Sequence, residues 1–548
     1  MRKAKSLIAL ILSAMLTVGL LAGCGAKEDD KASSSSTKKE ETQKQESQKS
    51  SEKEEEPVAK GVTYPLEGNV TLKIVSMGGT INKNKPEILE SFEKATGVNV
   101  EVEDVTMDQI SLMISSGELP DIIVAYNNVF PAGIATAVAD GTIEPLDPYL
   151  EEWAPDLHAI MESNDVVRKG SSIAGYGVVT APNLYADAQW ETSAGLTMRA
   201  DWLKDLGLDV PETADEYYEA LKAFKEKKGA TVPLSTSLGN LKLFVNNGLI
   251  TSAFNLASAG FYQKDGKVHF GASEAEYKDV LAWLHKLYDE GLLDPDFQTI
   301  DGATSTANFT GGKSGANFGA VASGIAGLIQ AMEEKDPNFD VTGVGSLVAK
   351  KGDKAMANRA SSPLVGRGMF LTSECENIEA AVKLINFGYS EEGIKWFSFG
   401  EEGVAHTMVD GKPIYTDLIT KNPEGLTMLE ALGKYTGITG NWGYMNHRGY
   451  NEQLWALPQQ LDAVARWSNS DAMIYLLPEM DNAKEDADEF ATINADITTY
   501  VGEMFVKYIT GEKALDTFET EYLPTLEKMG LKRYIEIRQN ALDAYDEL

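Results

Sequence analysis

From Thr71 the chain alternates strand-like and helix-like runs. Strand patterns cover Thr71 to Met77, Val98 to Val105 and Asp121 to Tyr126, and helical ones cover Pro86 to Ala95 and Met107 to Ser116. That order predicts an α/β protein built on an open, largely parallel sheet. In such sheets ligands settle beyond the carboxyl ends of the strands. The loops there are Gly78-Gly79-Thr80 and Tyr126-Asn127-Asn128.

A second segment opens at Gly195 and runs through Met198-Arg199-Ala200-Asp201-Trp202 to Gly207, which reads as a helix stop. Thr213 to Glu216 fits a capping box for a helix through Lys225. Glu274 to Glu290 gives another helix with Tyr277, Val280, Leu281, Leu284 and Tyr288 on one face. The small-residue stretch from Asp301 to Gly327 breaks the regularity before a strand pattern at Gly343 to Val348 and helices at Asn377 to Phe387 and Glu392 to Phe397. The last quarter is mostly helical. With 548 residues, two lobes are expected, because single cores stop growing near ~300 residues.

The first 60 residues do not belong to that pattern. Arg2, Lys3 and Lys5 precede an apolar run and small residues, the order of an export signal. A spanning helix is the alternative, since the run is near the lower limit for crossing a bilayer. Leu21-Ala22-Gly23-Cys24 favours export, because it resembles a bacterial lipobox, in which the thiol is lipidated and becomes the mature N-terminus. Two or three acyl chains exceed the single chain that binds only marginally. Residues 25–60 are mostly Ser, Lys, Glu, Gln and Thr with no aromatic and hardly any aliphatic residue, a tether that would hold a domain ~30 to 40 Å from its anchor.

The only other cysteine is Cys375, so lipidating Cys24 leaves no internal disulfide and the exported domain relies on its core. The net charge of -34, from 83 acidic and 49 basic residues, argues against nucleic acid as a partner. It leaves room for a local Lys or Arg to receive an anion.

Catalytic and cofactor motifs are mostly missing. The five histidines lack metalloprotease spacing. Gly312-Lys313-Ser314 resembles the end of a P-loop, but Ala307 stands where its first glycine belongs and no strand leads in, so it reads as a flexible loop. There is no nucleophile elbow. Asp481 to Glu489 lacks the order of a calcium loop and reads as a solvated face. No cofactor and no metal are expected. A carboxylate pair for glycoside hydrolysis leaves no local signature, so a surface glycoside hydrolase or lyase stands as the alternative from another class.

The tryptophans divide by context. Trp202, Trp283 and Trp396 lie in amphipathic helical patterns and read as core. Trp190, in "NLYADAQWETSAG", and Trp442, in "GITGNWGYMNHRGY", sit in loop-like stretches, where each either plugs its loop or is exposed for use. A flat ring with Asn, Arg and Tyr nearby suits a sugar, whose C–H face stacks while its hydroxyls bond at the edge.

Several motifs occur in a specific order: the lipobox, the Ser-rich tether, Gly117-Glu118-Leu119-Pro120-Asp121-Ile122, the run Met198 to Leu208, Pro211 to Glu216, and Leu287 to Pro295. Together they resemble a family 1 extracellular solute-binding lipoprotein, of the large Firmicute branch serving carbohydrate ABC importers. The similarity runs from about Tyr64 to Leu548. It implies a type II periplasmic-binding-protein fold, two α/β lobes joined by hinges with a ligand cleft between them. The expected boundaries are a signal peptide at 1–23, lipidated Cys24 and tether at 24–60, one lobe from 64–178 plus about 365–405, and the other from about 181–345 plus about 406–548, with Tyr176-Gly177-Val178 as the first crossing.

The resemblance also implies a role for the chain and its site. Tyr126, Asn127 and Asn128 would face the cleft from the first lobe, and Tyr185, Trp190 and Arg199 from the second, with Asp201 orienting Arg199. Trp442 and Tyr444 complete the expected sugar site. The implied protein is a monomer on the outer face of the cytoplasmic membrane, held only through its lipid, passing an oligosaccharide to ABC permease subunits without altering it. A peptide or other solute as ligand, or a sensor kinase as recipient, is the variant of that role. Relatives often carry a calcium loop after the helix ending near Lys225, whereas this chain has Glu226 to Pro233 without that pattern, so no calcium is expected there.

Overall fold

The computed structural model describes residues 61–78, 81, 84–130, 133–185, 192–359, 364–478, 480 and 482–548. The signal, Cys24, the tether and Trp190 lie outside these residues.

Eight strands build two sheets: β1 (Thr71–Ser76), β2 (Asn99–Asp104), β3 (Ile122–Tyr126), β4 (Ala181–Leu184), β5 (Ala194–Arg199), β6 (Ala316–Ala320), β7 (Val341–Val344) and β8 (Leu364–Leu371). The first sheet has the order β2-β1-β3-β8-β4, and the second has the order β6-β5-β7. β1 runs parallel to β2 and β3, as the helices between them require, while β8 runs antiparallel to β3 and β4. Both faces of the first sheet are covered. Ile74, Ile122, Val124 and Met369 join one cluster, whereas Val75, Ile123, Ala125 and Phe370 join another on the alternate pleat.

The sequence signals at helix ends hold locally. The helix Met107–Ser116 starts from Thr106 and Gln109 in a reciprocal capping box, and Ala214–Lys228 starts the same way from Thr213 and Glu216. The helix Ala275–Asp289 buries Tyr277, Val280, Leu281, Leu284 and Leu287 in the second core. The helix Pro458–Trp467 lies so close on the second sheet that a Cβ at Gly195 would stand 2.6 Å from Trp467 Nε1.

Several expectations change. The stretch at 301–327 is ordered: it forms the helix Gly302–Thr310 and then β6, paired along its length with β5. Ser314, expected in a flexible loop, is buried, and its hydroxyl bonds the carbonyls of Pro233 and Ala316 at 3.0 and 2.7 Å. The strand expected at Gly343 to Val348 lies earlier, at β7. Cys375 is buried as a free thiol.

The chain also passes between the two cores at other points than expected. Gly177–Val178 pairs with Ser172–Ile173 in a small ribbon, Val178 belongs to the first core, and β4 still lies in the first sheet. The first crossing therefore follows Leu184. The segment after 405 returns to the first core, because Ala405, Tyr415, Ile419, Leu432, Trp442 and Tyr444 pack there, with Phe399 against the rings of His406 and Tyr415. The second crossing joins β7 to β8. The third passes Leu454, which touches both the first core and the cluster of Trp455, Val464 and Trp467.

Candidate functional site

One edge of the first sheet gathers the ends of its central strands. β1 and β3 finish there at Ser76 and Tyr126, and antiparallel β8 begins there, with Arg367 opposite Tyr126 and Leu364 opposite Leu184 in register. Two crossings to the second sheet leave from this edge, after β4 and before β8. They lead to the start of β5 and the end of β7, so the facing edges of the two sheets bound the groove in which an α/β fold of this kind binds ligand.

Tyr126 is 40% exposed at this edge. A single helical turn, Asn127–Val129, follows it. Asn128 is exposed, while Asn127 is half-buried and its Oδ1 is buried with no hydrogen-bond partner. Ser76 Oγ, at the end of β1, is buried in the same condition. Such groups cost about 1 to 3 kcal/mol each unless something satisfies them. Tyr185, expected on the second lobe, instead follows β4 of the first sheet and is half-buried at this edge.

Two residues that the sequence reading passed over organise this edge. Arg367 Nη1 donates to Asn441 Oδ1 at 2.8 Å, and the Asn441 amide donates to the backbone carbonyl of Met77. The relay ties β8, the end of β1 and the loop around Asn441 into one wall. The signal available for Arg367 was a lone cation inside the apolar strand Leu364-Val365-Gly366-Arg367-Gly368-Met369-Phe370-Leu371. Asn441 stood beside the ring that drew attention instead. On the side of the second sheet, Thr192 just before β5 and Ser346 just after β7 each keep a buried hydroxyl without a partner.

Three expected site residues belong to the interior. Trp442 is 1% exposed and packs edge-on against Phe92 at 5.1 Å, so it plugs its loop. Tyr444 is buried and stacks on Phe397 at 4.6 Å, its hydroxyl donating to the Ile438 carbonyl at 2.6 Å. Burial pushes that phenol up to about 12. Arg199 is 4% exposed and fully engaged: Nε and Nη2 grip the Asp201 carboxylate at 2.7 and 2.5 Å, and the guanidinium lies between Trp202 and Phe339. Asp201 does orient Arg199, but within the second lobe. A guanidinium with two faces and its fork occupied has little left for a ligand.

In the last turn of the helix Ala214–Lys228, Lys225 bonds the Glu290 carbonyl at 2.6 Å and Lys228 pairs with Asp205 at 2.7 Å. Among the described residues no group of three or more His, Cys, Asp or Glu is placed to hold a metal ion. None of their helices is long and apolar enough to cross a membrane.

Alginate-binding protein AlgQ2, solved without calcium ion, has the same fold, with a TM-score of 0.69 at 22% identity over 88% of this chain and 100% of its own. Lipoprotein LipO of Bacillus subtilis (strain 168) is 29% identical over 373 residues, 64% of this chain and 70% of that protein. The fructooligosaccharide ABC transporter substrate-binding protein FusA of Streptococcus pneumoniae serotype 4 is 25% identical over 528 residues, 89% of this chain and 92% of that protein. The model of a family described as bacterial extracellular solute-binding protein matches residues 76–395, from the end of β1 through the return to the first sheet. Because that match covers more than half of the chain, the chain belongs to the bacterial extracellular solute-binding proteins.

Proposed function

We propose that this chain captures an oligosaccharide outside the cell, between its two lobes, and delivers it unaltered to an ABC importer. The observation that carries this reading is the exposed Tyr126 ring beside a row of amide, hydroxyl and guanidinium groups at the strand ends. An aromatic face accepts the C–H face of a sugar, and Asn and Arg bond its hydroxyls at the ring edge. FusA, whose name gives a fructooligosaccharide, supports the class of ligand and the importer as recipient, because the similarity to it spans most of both chains. Lipidation of Cys24 would hold the protein at the membrane surface, in keeping with the lipoprotein LipO.

The test is a thermal-shift screen against neutral and acidic oligosaccharides. A ligand that binds only the folded state at a hundred times its Kd adds about 2.7 kcal/mol, a shift of several degrees. Failure of every oligosaccharide, with a peptide or other solute raising the melting temperature instead, would remove the carbohydrate reading. Shortening of any bound glycan during incubation would replace capture with hydrolysis. Replacing Cys24 with Ala is expected to release the protein into the medium and abolish acyl labelling.

A further inference from the structure

The other arginines of the described residues are answered by their surroundings, Arg538 by Asn482 and the Phe490 ring. Arg168, Arg199, Arg448, Arg466 and Arg533 each face a carboxylate within 4.0 Å. Arg359 lies over the Phe318 ring at 5.4 Å. Arg367 has neither kind of partner among the described residues. It is half-buried, and among the described residues its one hydrogen bond is from Nη1 to the neutral Asn441 amide, while its Nε is buried with no acceptor.

The position makes this informative. A guanidinium stays ionised at any physiological pH and offers five donors in a planar fork. Taking that charge partly out of water without a counter-ion is unfavourable. Acidic residues are not scarce here, at 83 against 49 basic ones. The groups that the described residues set against Arg367 are nonetheless neutral: Asn441, Tyr126 across the ladder, and Tyr444 close enough for its phenol to feel the charge. Arg367 stands at the strand-end edge, opposite the exposed Tyr126.

We propose that the oligosaccharide held by this protein carries a carboxylate, as a uronic acid residue does, and that Arg367 receives it. Asn441, anchored on the Met77 carbonyl, fixes one arm of the fork and leaves Nη2 and the second Nη1 hydrogen for the ligand. A carboxylate takes two parallel N–H bonds from such a fork. This rests on the carbohydrate reading and narrows it to acidic sugars.

The test uses the full extracellular chain and isothermal titration. Oligogalacturonides, oligomannuronides, oligoguluronides and glucuronic-acid oligosaccharides are compared with their carboxyl-reduced forms and with sulfated galactan oligosaccharides of equal length. At least one uronide should bind roughly ten- to hundredfold tighter than its reduced form, the range of a charge-assisted hydrogen bond. Arg367→Gln should erase that ratio, and Arg367→Lys should keep part of it. Asn441→Asp gives Arg367 a carboxylate of its own and should also erase the ratio, with the melting temperature showing that each variant is folded. A reduced or neutral glycan bound as tightly as its uronide, a preference for sulfate, or an acidic preference that survives Arg367→Gln or Asn441→Asp overturns the proposal while leaving sugar capture intact. No binding by any of these glycans overturns the proposal, and sugar capture falls with it only where the neutral oligosaccharides of the thermal-shift screen fail as well.

Discussion

Arg199 and Tyr126 are polar residues at strand ends with opposite energetic roles. Arg199 is enclosed by Trp202 and Phe339 and gripped by Asp201, whose side chain is itself 15% exposed. Removing one partner of such a pair leaves a buried charge without compensation, which costs about 3 to 5 kcal/mol. Arg199→Ala is therefore expected to lower the urea midpoint strongly and leave ligand affinity unchanged. Trp442→Ala belongs with it, because emptying a fully buried indole site costs about 3 to 5 kcal/mol. Tyr126→Ala should do the reverse. Its ring is substantially exposed, so the midpoint should hold while affinity falls roughly tenfold, the value of about 1.4 kcal/mol from a stacked ring. Equal loss of affinity in all three would mean that Tyr126 is not a contact. The sequence ranked these residues differently because a loop composition does not say which way its aromatic ring turns.

At the scale of elements, what could be read depended on side-chain size. β1, β2, β3 and the helices between them carry large apolar residues at regular spacing, and their bounds were legible almost to the residue. β6 reads Ala-Asn-Phe-Gly-Ala, a composition that resembles a break, although it pairs with β5 throughout. Small residues suit a strand on which other backbone packs closely, and the same smallness removes the period that identifies a strand. The return of 405–444 to the first core was hidden for another reason: it depends on contacts such as Phe399 with His406, Tyr415 and His447, which no local pattern encodes. That packing has a consequence for pH. Burial holds His406 and His447 below the usual imidazole range, so the unfolded chain takes up protons first as pH falls. The stability these rings support is complete above the unfolded value of about 6.5 and declines below it, until the folded-state values are passed. Denaturation midpoints should therefore drop between pH 7 and pH 5, and His406→Gln should flatten part of that slope. An unchanged slope in the variant would exclude His406 as a source.

For the whole molecule the question is what ligand does to two sheets joined by three crossings. The C-terminal helix Leu531–Asp546 adds a brace, since Tyr534 lies in the second core while Lys169 bonds the carbonyls of Tyr545 and Asp546 at 3.3 and 3.0 Å. Arg168 reaches the Leu548 carbonyl beside them. Bonds from long cations to carbonyls can re-form at shifted positions more easily than packed rings can. The brace therefore permits rotation of one lobe against the other. Ligand drives such a rotation only through its differential affinity for the closed state, and moving the population from 1:99 to 99:1 takes about 5.5 kcal/mol. A monosaccharide touching only the first-lobe edge at Tyr126 supplies little of that difference, because it makes the same contacts open or closed. An oligosaccharide that also reaches the second-sheet edge near Thr192 and Ser346 supplies contacts that exist only when closed. Small-angle scattering should then show a smaller radius of gyration with saturating oligosaccharide and no change with its saturating monosaccharide. Equal contraction with both would place the whole recognition, and the trigger for closure, on the first lobe.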